Sequence, residues 1–230
     1  MRAVIFDFFG TLTDPAAEAV RESVYRSTGE ALGVDGAVFH AAMADSFTER
    51  ASGVHGDTRA TLDAIARRCG ARPSGYQLDE AVRRHLAGSA RLRTPRKGTV
   101  ETLTALRSRG LARGLISDCS SELCEAWDQT PYAGLIDAPV FSWAEGYRKP
   151  DQRLYATAAA RLAVSPRDCW YVGDGASREH WGAEQAGMRP VLITNAGYPG
   201  AAGHRYQPDE LRPDDAVDEL VDLLALVDAC

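Results

Sequence analysis

The first strongly β-forming run, Arg2–Phe6, ends at Asp7, and the next run of that kind is not met until Ala112–Ser117. A single short strand leaves its backbone donors and acceptors unpaired, so it must join strands supplied from far along the chain. Whatever lies between must therefore fold as an excursion from one sheet. That stretch reads as helix throughout. Pro15 opens a helix to Gly33, with proline in the first turn and glycine past the end. A second fits Gly36–Arg50, with Val38, Phe39, Met43 and Phe47 on one face. A third fits Asp57–Cys69, capped by Asp57 and stopped at Gly70, and a fourth fits Leu78–Ala87.

From Pro95 the rhythm changes. Thr99–Arg109 reads as helix, Ala112–Ser117 as strand, Ser121–Trp127 as helix and Pro139–Ser142 as strand. Asp151–Leu162 then reads as helix, Trp170–Gly173 as strand, Arg178–Gly187 as helix and Pro190–Thr194 as strand, with a last helix from about Asp214 to Val227. Such alternation predicts an α/β fold, a Rossmann-like parallel sheet covered on both faces. The helical-bundle insertion spans residues 14–90, and the sheet domain is made of residues 1–13 and 91–230.

Ligands of open α/β sheets bind beyond the carboxyl ends of the strands. Those ends carry Asp7-Phe-Phe-Gly-Thr11, then Ser117-Asp118, then Lys149 in the following loop, then Asp174 and Glu179. Any one of these has an ordinary explanation as a turn, a cap or a surface charge. Together they place complementary groups on one edge. Three carboxylates there would repel, and Mg²⁺, which takes oxygen ligands, resolves the repulsion. Lys149 is one of two lysines in a chain whose other basic residues are arginine. It can hold Asp7 ionised and meet a substrate's negative charge. Asp7 is then available as a nucleophile.

Composition narrows the partners. A formal net charge of -6 disfavours a nucleic-acid partner. No apolar stretch approaches the length that spans a bilayer, and no leader pattern precedes Arg2. Five scattered cysteines (Cys69, Cys119, Cys124, Cys169, Cys230) form no CxxC pair, which argues against a disulfide framework or zinc site and for reduced thiols in the cytoplasm. The expectation is a cytoplasmic monomer or homodimer acting on a small molecule, with neither nucleic acid nor membrane as partner.

Phe6–Asp14 (FDFFGTLTD), Leu115–Asp118 (LISD), Gly146–Asp151 (GYRKPD) and Tyr171–Glu179 (YVGDGASRE) resemble, in order and spacing, the four motifs of the haloacid dehalogenase superfamily. Residues 14–90 are similar to that family's cap domain. The resemblance implies Asp7 as nucleophile and metal ligand, with Phe9 giving its backbone carbonyl to Mg²⁺. It implies that Thr11 supports the nucleophile loop, and that Ser117 and Lys149 bind the phosphoryl group. Asp174 would bind the metal directly, and Glu179 directly or through water. Gly10 and Asp118 flank these groups as substrate-binding positions.

One departure matters. Phosphatases of the family carry a second acid two residues after the nucleophile, where this chain has Phe9. Such a proton-transfer group is typically worth about 10²–10⁴-fold in rate. Three readings follow. A Mg²⁺-dependent phosphatase could take its acid from the cap, where Arg50 and His55 are candidates, or act on an acyl phosphate that needs none. A metal-independent 2-haloacid dehalogenase accounts for Phe9, and Tyr155 resembles one of that group's residues, but it leaves Asp174 and Glu179 unexplained. A catalytically degenerate binding module is the third. The family's phosphonate hydrolysis, which needs a cap lysine, is set aside because residues 14–90 contain none.

Overall fold

The computed structural model describes residues 1–201 and 205–229. Its six strands are β1 (Ala3–Phe6), β2 (Ala112–Ser117), β3 (Ala138–Phe141), β4 (Cys169–Gly173), β5 (Arg189–Ile193) and β6 (Asp215–Val217). They form one sheet in the order β3-β2-β1-β4-β5-β6, and every pairing is parallel. The isolated N-terminal run is thus central, with Phe6 in register with both Leu115 and Val172.

Alternation along β1 sorts the core. Val4 and Phe6 face one layer, with Leu103, Leu106, Trp170, Val172 and Leu220. Ala3 and Ile5 face the other, with Ile116, Leu154, Ala158, Tyr171 and Ala183. The first layer is covered by α6 (Thr99–Ser108), α7 (Ser121–Ala126) and α11 (Leu223–Asp228), the second by α9 (Gln152–Arg161) and α10 (Glu179–Gln185). A short α8 (Ser142–Glu145), not expected from the sequence, follows β3 directly.

Between β1 and α6 lie α1 (Arg21–Ala31), α2 (Gly36–Asp45), α3 (Phe47–Ala51), α4 (Thr58–Arg68) and α5 (Gly75–Leu92). They share a hydrophobic cluster of their own, including Val24, Leu32, Phe39, Met43, Leu62, Ile65 and Ala81. Gly29 lets α1 and α2 approach, since a Cβ there would lie 2.4 Å from Cβ of Phe39. The block meets the sheet layer through polar contacts: Thr58 Oγ1 with Ser121 Oγ (2.7 Å), Ser142 Oγ to the Ala51 carbonyl (2.7 Å) and Trp143 Nε1 to the Gly56 carbonyl (2.9 Å).

Several boundaries differ from the sequence reading. The helix expected at Pro15–Gly33 begins as a 3₁₀ turn over Pro15–Val20, and α1 starts only at Arg21. The Gly36–Arg50 helix breaks at Ser46, whose hydroxyl donates to the Met43 carbonyl and competes with the helical ladder. α5 is longer than Leu78–Ala87 because Ser74 and Gln77 form a reciprocal capping box that starts it at Gly75. The helix expected over Asp214–Val227 is corrected: Asp215–Val217 is a strand that pairs with β5, and α11 begins at Leu223. Closing the exposed β5 edge outweighs the helical spacing of Val217, Leu220 and Leu224. Cys69, Cys119, Cys124 and Cys169 are free thiols, and Cys230 lies outside the described residues. Among the described residues no helix is long and apolar enough to cross a membrane.

Candidate active site

The strand order reverses direction between β1 and β4, which is where an open sheet leaves a crevice at its carboxyl edge. The ends of β2, β1 and β4 deliver Ser117-Asp118, Asp7 and Asp174 side by side. The Asp7 amide donates to the Val172 carbonyl at 2.8 Å, extending the ladder by one residue and fixing where its side chain emerges.

Lys149 occupies the middle. Its ammonium lies 2.5 Å from Asp7 Oδ1, 2.6 Å from Glu179 Oε2 and 3.4 Å from the Tyr171 hydroxyl, so its three hydrogens all have acceptors. Its backbone amide donates to Asp118 Oδ1 at 2.9 Å. Glu179 is equally engaged: Oε2 also accepts from Tyr171 at 2.9 Å, and Oε1 accepts from the Gly175 amide at 2.9 Å. Both side chains are buried, and burial raises the Lys149 requirement for its two carboxylates. With those partners its pKa is held well above the ordinary value despite the burial.

Asp7, Asp174 and Glu179 each present an oxygen within 4.8 Å of the others. Burial, opposed by Lys149 and reinforced by the charge of Glu179, pushes Asp7 up to about 6. Burial, with Glu179 and Asp7 nearby, pushes Asp174 up to about 7, against the Arg205 guanidinium 3.5 Å from its Oδ2. A cluster with that appetite for protons is short of positive charge, and a hard cation is chemically suited to it. Asp7 and Asp174 fit a divalent ion, as does the Phe9 carbonyl, which accepts no hydrogen bond among the described residues. Glu179 fits less directly, because both of its oxygens are committed to Lys149, Tyr171 and Gly175. The hydroxyls of Ser117 and Thr11 are buried without partners. Orphaned buried hydroxyls are costly, and a bound oxyanion would satisfy them.

A cavity of about 340 Å³ opens over this edge. Of the sequence-derived residues, Asp7, Phe9, Gly10, Arg50, Asp118, Lys149 and Asp174 line it. Thr11, Ser117 and Glu179 are fully buried behind that lining, and His55 lies outside it, paired with Glu49 at 3.0 Å, so its expected place in the site is corrected. The loop after β1 is braced by Thr13, whose Oγ1 accepts from the Gly10 amide at 3.0 Å, and by the Thr11 amide, which donates to the Phe8 carbonyl at 3.3 Å. Tyr155 is fully buried, and its hydroxyl donates to the Glu179 carbonyl at 2.9 Å, which makes it a brace for the acidic loop.

The helical block adds residues that the sequence did not single out. Arg21, held by Glu18 at 2.7 and 2.8 Å, sits 5.3 Å above the Phe9 ring, and Tyr25 lies beside it. Arg205 and Tyr206 close the cavity from the segment after β5. No motif marked these. Asn195, which donates to the Gly10 carbonyl at 3.0 Å, could have been found by extending the strand-end rule to β5.

A parallel sheet that offers a lysine-paired carboxylate and an acidic neighbour to a cavity at its carboxyl edge is the ground plan of a hydrolase built on an α/β core. The chain belongs to the haloacid dehalogenase-like hydrolases, whose family model matches residues 1–187. It is similar to glyceraldehyde 3-phosphate phosphatase of Methanopyrus kandleri, with 28% identity over 222 residues, 94% of this chain and 91% of the relative. It is also similar to an (S)-2-haloacid dehalogenase of Pseudomonas fluorescens, with 27% identity over 212 residues, 86% of this chain and 82% of that one. Among solved structures, a HAD phosphatase from Thermococcus onnurineus superposes with a TM-score of 0.70 at 19% identity, covering 99% of this chain and 98% of that one.

Proposed function

We propose that the protein is a Mg²⁺-dependent phosphatase that hydrolyses a small phosphorylated metabolite or acyl phosphate through an aspartyl intermediate. In this reading residues 1–13 and 91–230 are the catalytic core, and residues 14–90 are the cap that closes over it. The protein works in the cytoplasm as a monomer or homodimer. The observation that carries the reading is Asp174, a buried carboxylate set beside Asp7 and pushed up to about 7. A second acid at that place, with an oxygen within 4.8 Å of those of Asp7 and Glu179, is suited to a shared cation, which a metal-free displacement does not require. The likeness to a sugar-phosphate phosphatase along nearly the whole chain supports the same choice.

A carboxylate oxygen of Asp7 attacks phosphorus, the bond to the leaving oxygen breaks, and water then cleaves the aspartyl phosphate to release phosphate. Lys149, gripped by Glu179, keeps Asp7 ionised and aimed. The Ser117 hydroxyl donates to a phosphoryl oxygen. When bound between Asp7, Asp174 and the Phe9 carbonyl, Mg²⁺ supplies charge neutralisation for the phosphoryl group. Phe9 cannot protonate the leaving oxygen, so substrates with good leaving groups are favoured.

Hydrolysis of an aryl phosphate tests this. Turnover is expected with Mg²⁺ and is expected to vanish in EDTA and in Asp7→Asn. Equal rates in EDTA would overturn the metal requirement. Phe9 is the observation that favours a dehalogenase, and chloride release from 2-chloropropionate would establish that activity. Turnover of neither substrate would leave the scaffold as a binding module.

A further inference from the structure

Four cations line the cavity, and three have carboxylate partners. Arg21 has Glu18, Lys149 has Asp7 and Glu179, and Arg205 has Asp174. Arg50 forms no ion pair among the described residues, although its side chain is almost fully buried at 3% exposure. Nε donates to Ser46 Oγ at 3.3 Å, one terminal nitrogen to Ser120 Oγ and the other to the Met43 carbonyl at 2.9 Å. The rings of Tyr25 and Phe47 stand 5.7 Å from the guanidinium carbon. Every partner is neutral.

A buried charge without a counter-ion is costly, and two aromatic faces offset only part of that cost. A guanidinium has five N–H groups. Three are used here, one on each nitrogen, which leaves one N–H on each terminal nitrogen to donate to an acceptor in the cavity. Arg50 reaches the core at Ser120, in the loop after β2, while the reacting carboxylate stands at the end of β1. Phe9, Ala44 and Phe47 supply apolar wall. The cavity suits a short carbon skeleton.

We infer that Arg50 is the binding site for a carboxylate on the substrate, so that the substrate class is a small phosphorylated carboxylic acid. The phosphoryl half of that description rests on the proposed function, whereas the carboxylate half rests on Arg50 alone. The role is specificity and positioning, since Arg50 touches none of the reacting atoms.

Binding of three unreactive probes, measured by calorimetry in Mg²⁺, separates the two halves. Phosphonoacetate carries both anions, methylphosphonate only the phosphonate, and propionate only the carboxylate. The wild-type protein is expected to bind phosphonoacetate at least tenfold more tightly than methylphosphonate. Arg50→Gln should abolish that difference while leaving methylphosphonate affinity in place, and Arg50→Lys should restore part of it. Equal affinity of the wild-type protein for the two phosphonates would overturn the assignment, as would an equal loss for both in Arg50→Gln. If Arg50→Gln does not fold, Arg50→Lys takes its place: an unchanged preference for phosphonoacetate in that variant would overturn the assignment, and a reduced one would uphold it. Propionate binding that depends on Arg50, with no phosphonate binding, would uphold the carboxylate site and overturn the phosphatase. Binding of none of the three would overturn the site.

Discussion

Glu179 and Lys149 meet at 2.6 Å with both side chains withdrawn from solvent. The acid at the far end of the acidic loop therefore serves the lysine more directly than it serves an open coordination position. Glu179→Gln keeps the shape and the acceptor for Tyr171 but removes the charge. Breaking a buried pair costs about 3 kcal/mol, and chemical denaturation should register a loss of that order. An unchanged unfolding midpoint would show that Asp7 alone suffices to hold the ammonium.

Gly173 gives a second way to disturb the same pair. A Cβ there would stand 2.2 Å from Glu179 Oε1. Gly173→Ala should push the carboxylate off Lys149 and lower turnover by at least tenfold. Wild-type turnover in that variant would mean the acidic loop yields without cost.

Stability against pH should reveal the crowded carboxylates. In the metal-free protein Asp174 has its pKa raised from 3.8 to about 7. A raised carboxylate contributes stability that is present below the unfolded value and is lost as pH rises through the folded one. Asp174→Asn has no such loss. The variant's advantage over the metal-free wild-type protein should therefore grow between pH 5 and pH 8 by about 2 kcal/mol. Thermal melts of the two proteins across that range measure it. Mg²⁺ should reverse the order at pH 8 by stabilising only the wild-type protein. A constant difference across the range would contradict the shift.

Phe9→Asp should raise turnover of alkyl phosphates, whose leaving oxygens need a proton, by about tenfold or more. The Arg21 guanidinium 5.3 Å above the ring is placed to orient the new carboxylate. Aryl phosphate hydrolysis should change little. A fall with both substrates would indicate that the T-shaped Phe8–Phe9 packing, with centroids 5.0 Å apart, shapes the loop.

Much of the fold was legible because β1 and β4 are short, apolar and followed by polar residues, while the helices carry caps and glycine stops. The reading failed at β6, where pairing to β5 is a tertiary demand that three residues cannot advertise. The clustering of the candidate site was legible for the same reason as the strands: Asp7, Ser117 and Asp174 stand at or just past strand ends, Lys149 lies in the loop beyond β3 and α8, and topology brings those ends together. The cavity's other wall was not. Arg21 and Arg205 reach it through helix packing and a loop path, neither of which leaves a periodic trace. His55 looked eligible as a polar loop residue, but local pairing with Glu49 claimed it.

Asp7 and Lys149 are separated by 142 residues yet touch. No fragment lacking either end of that span can assemble the proposed reaction centre, and neither can a partly folded chain. Long-range closure of this kind is intrinsically slow, because chain entropy is lost before the contact rewards it. Chemistry should thus switch on late in refolding, after helicity has returned, and a lag between the recovery of circular dichroism and the recovery of turnover is its kinetic signature.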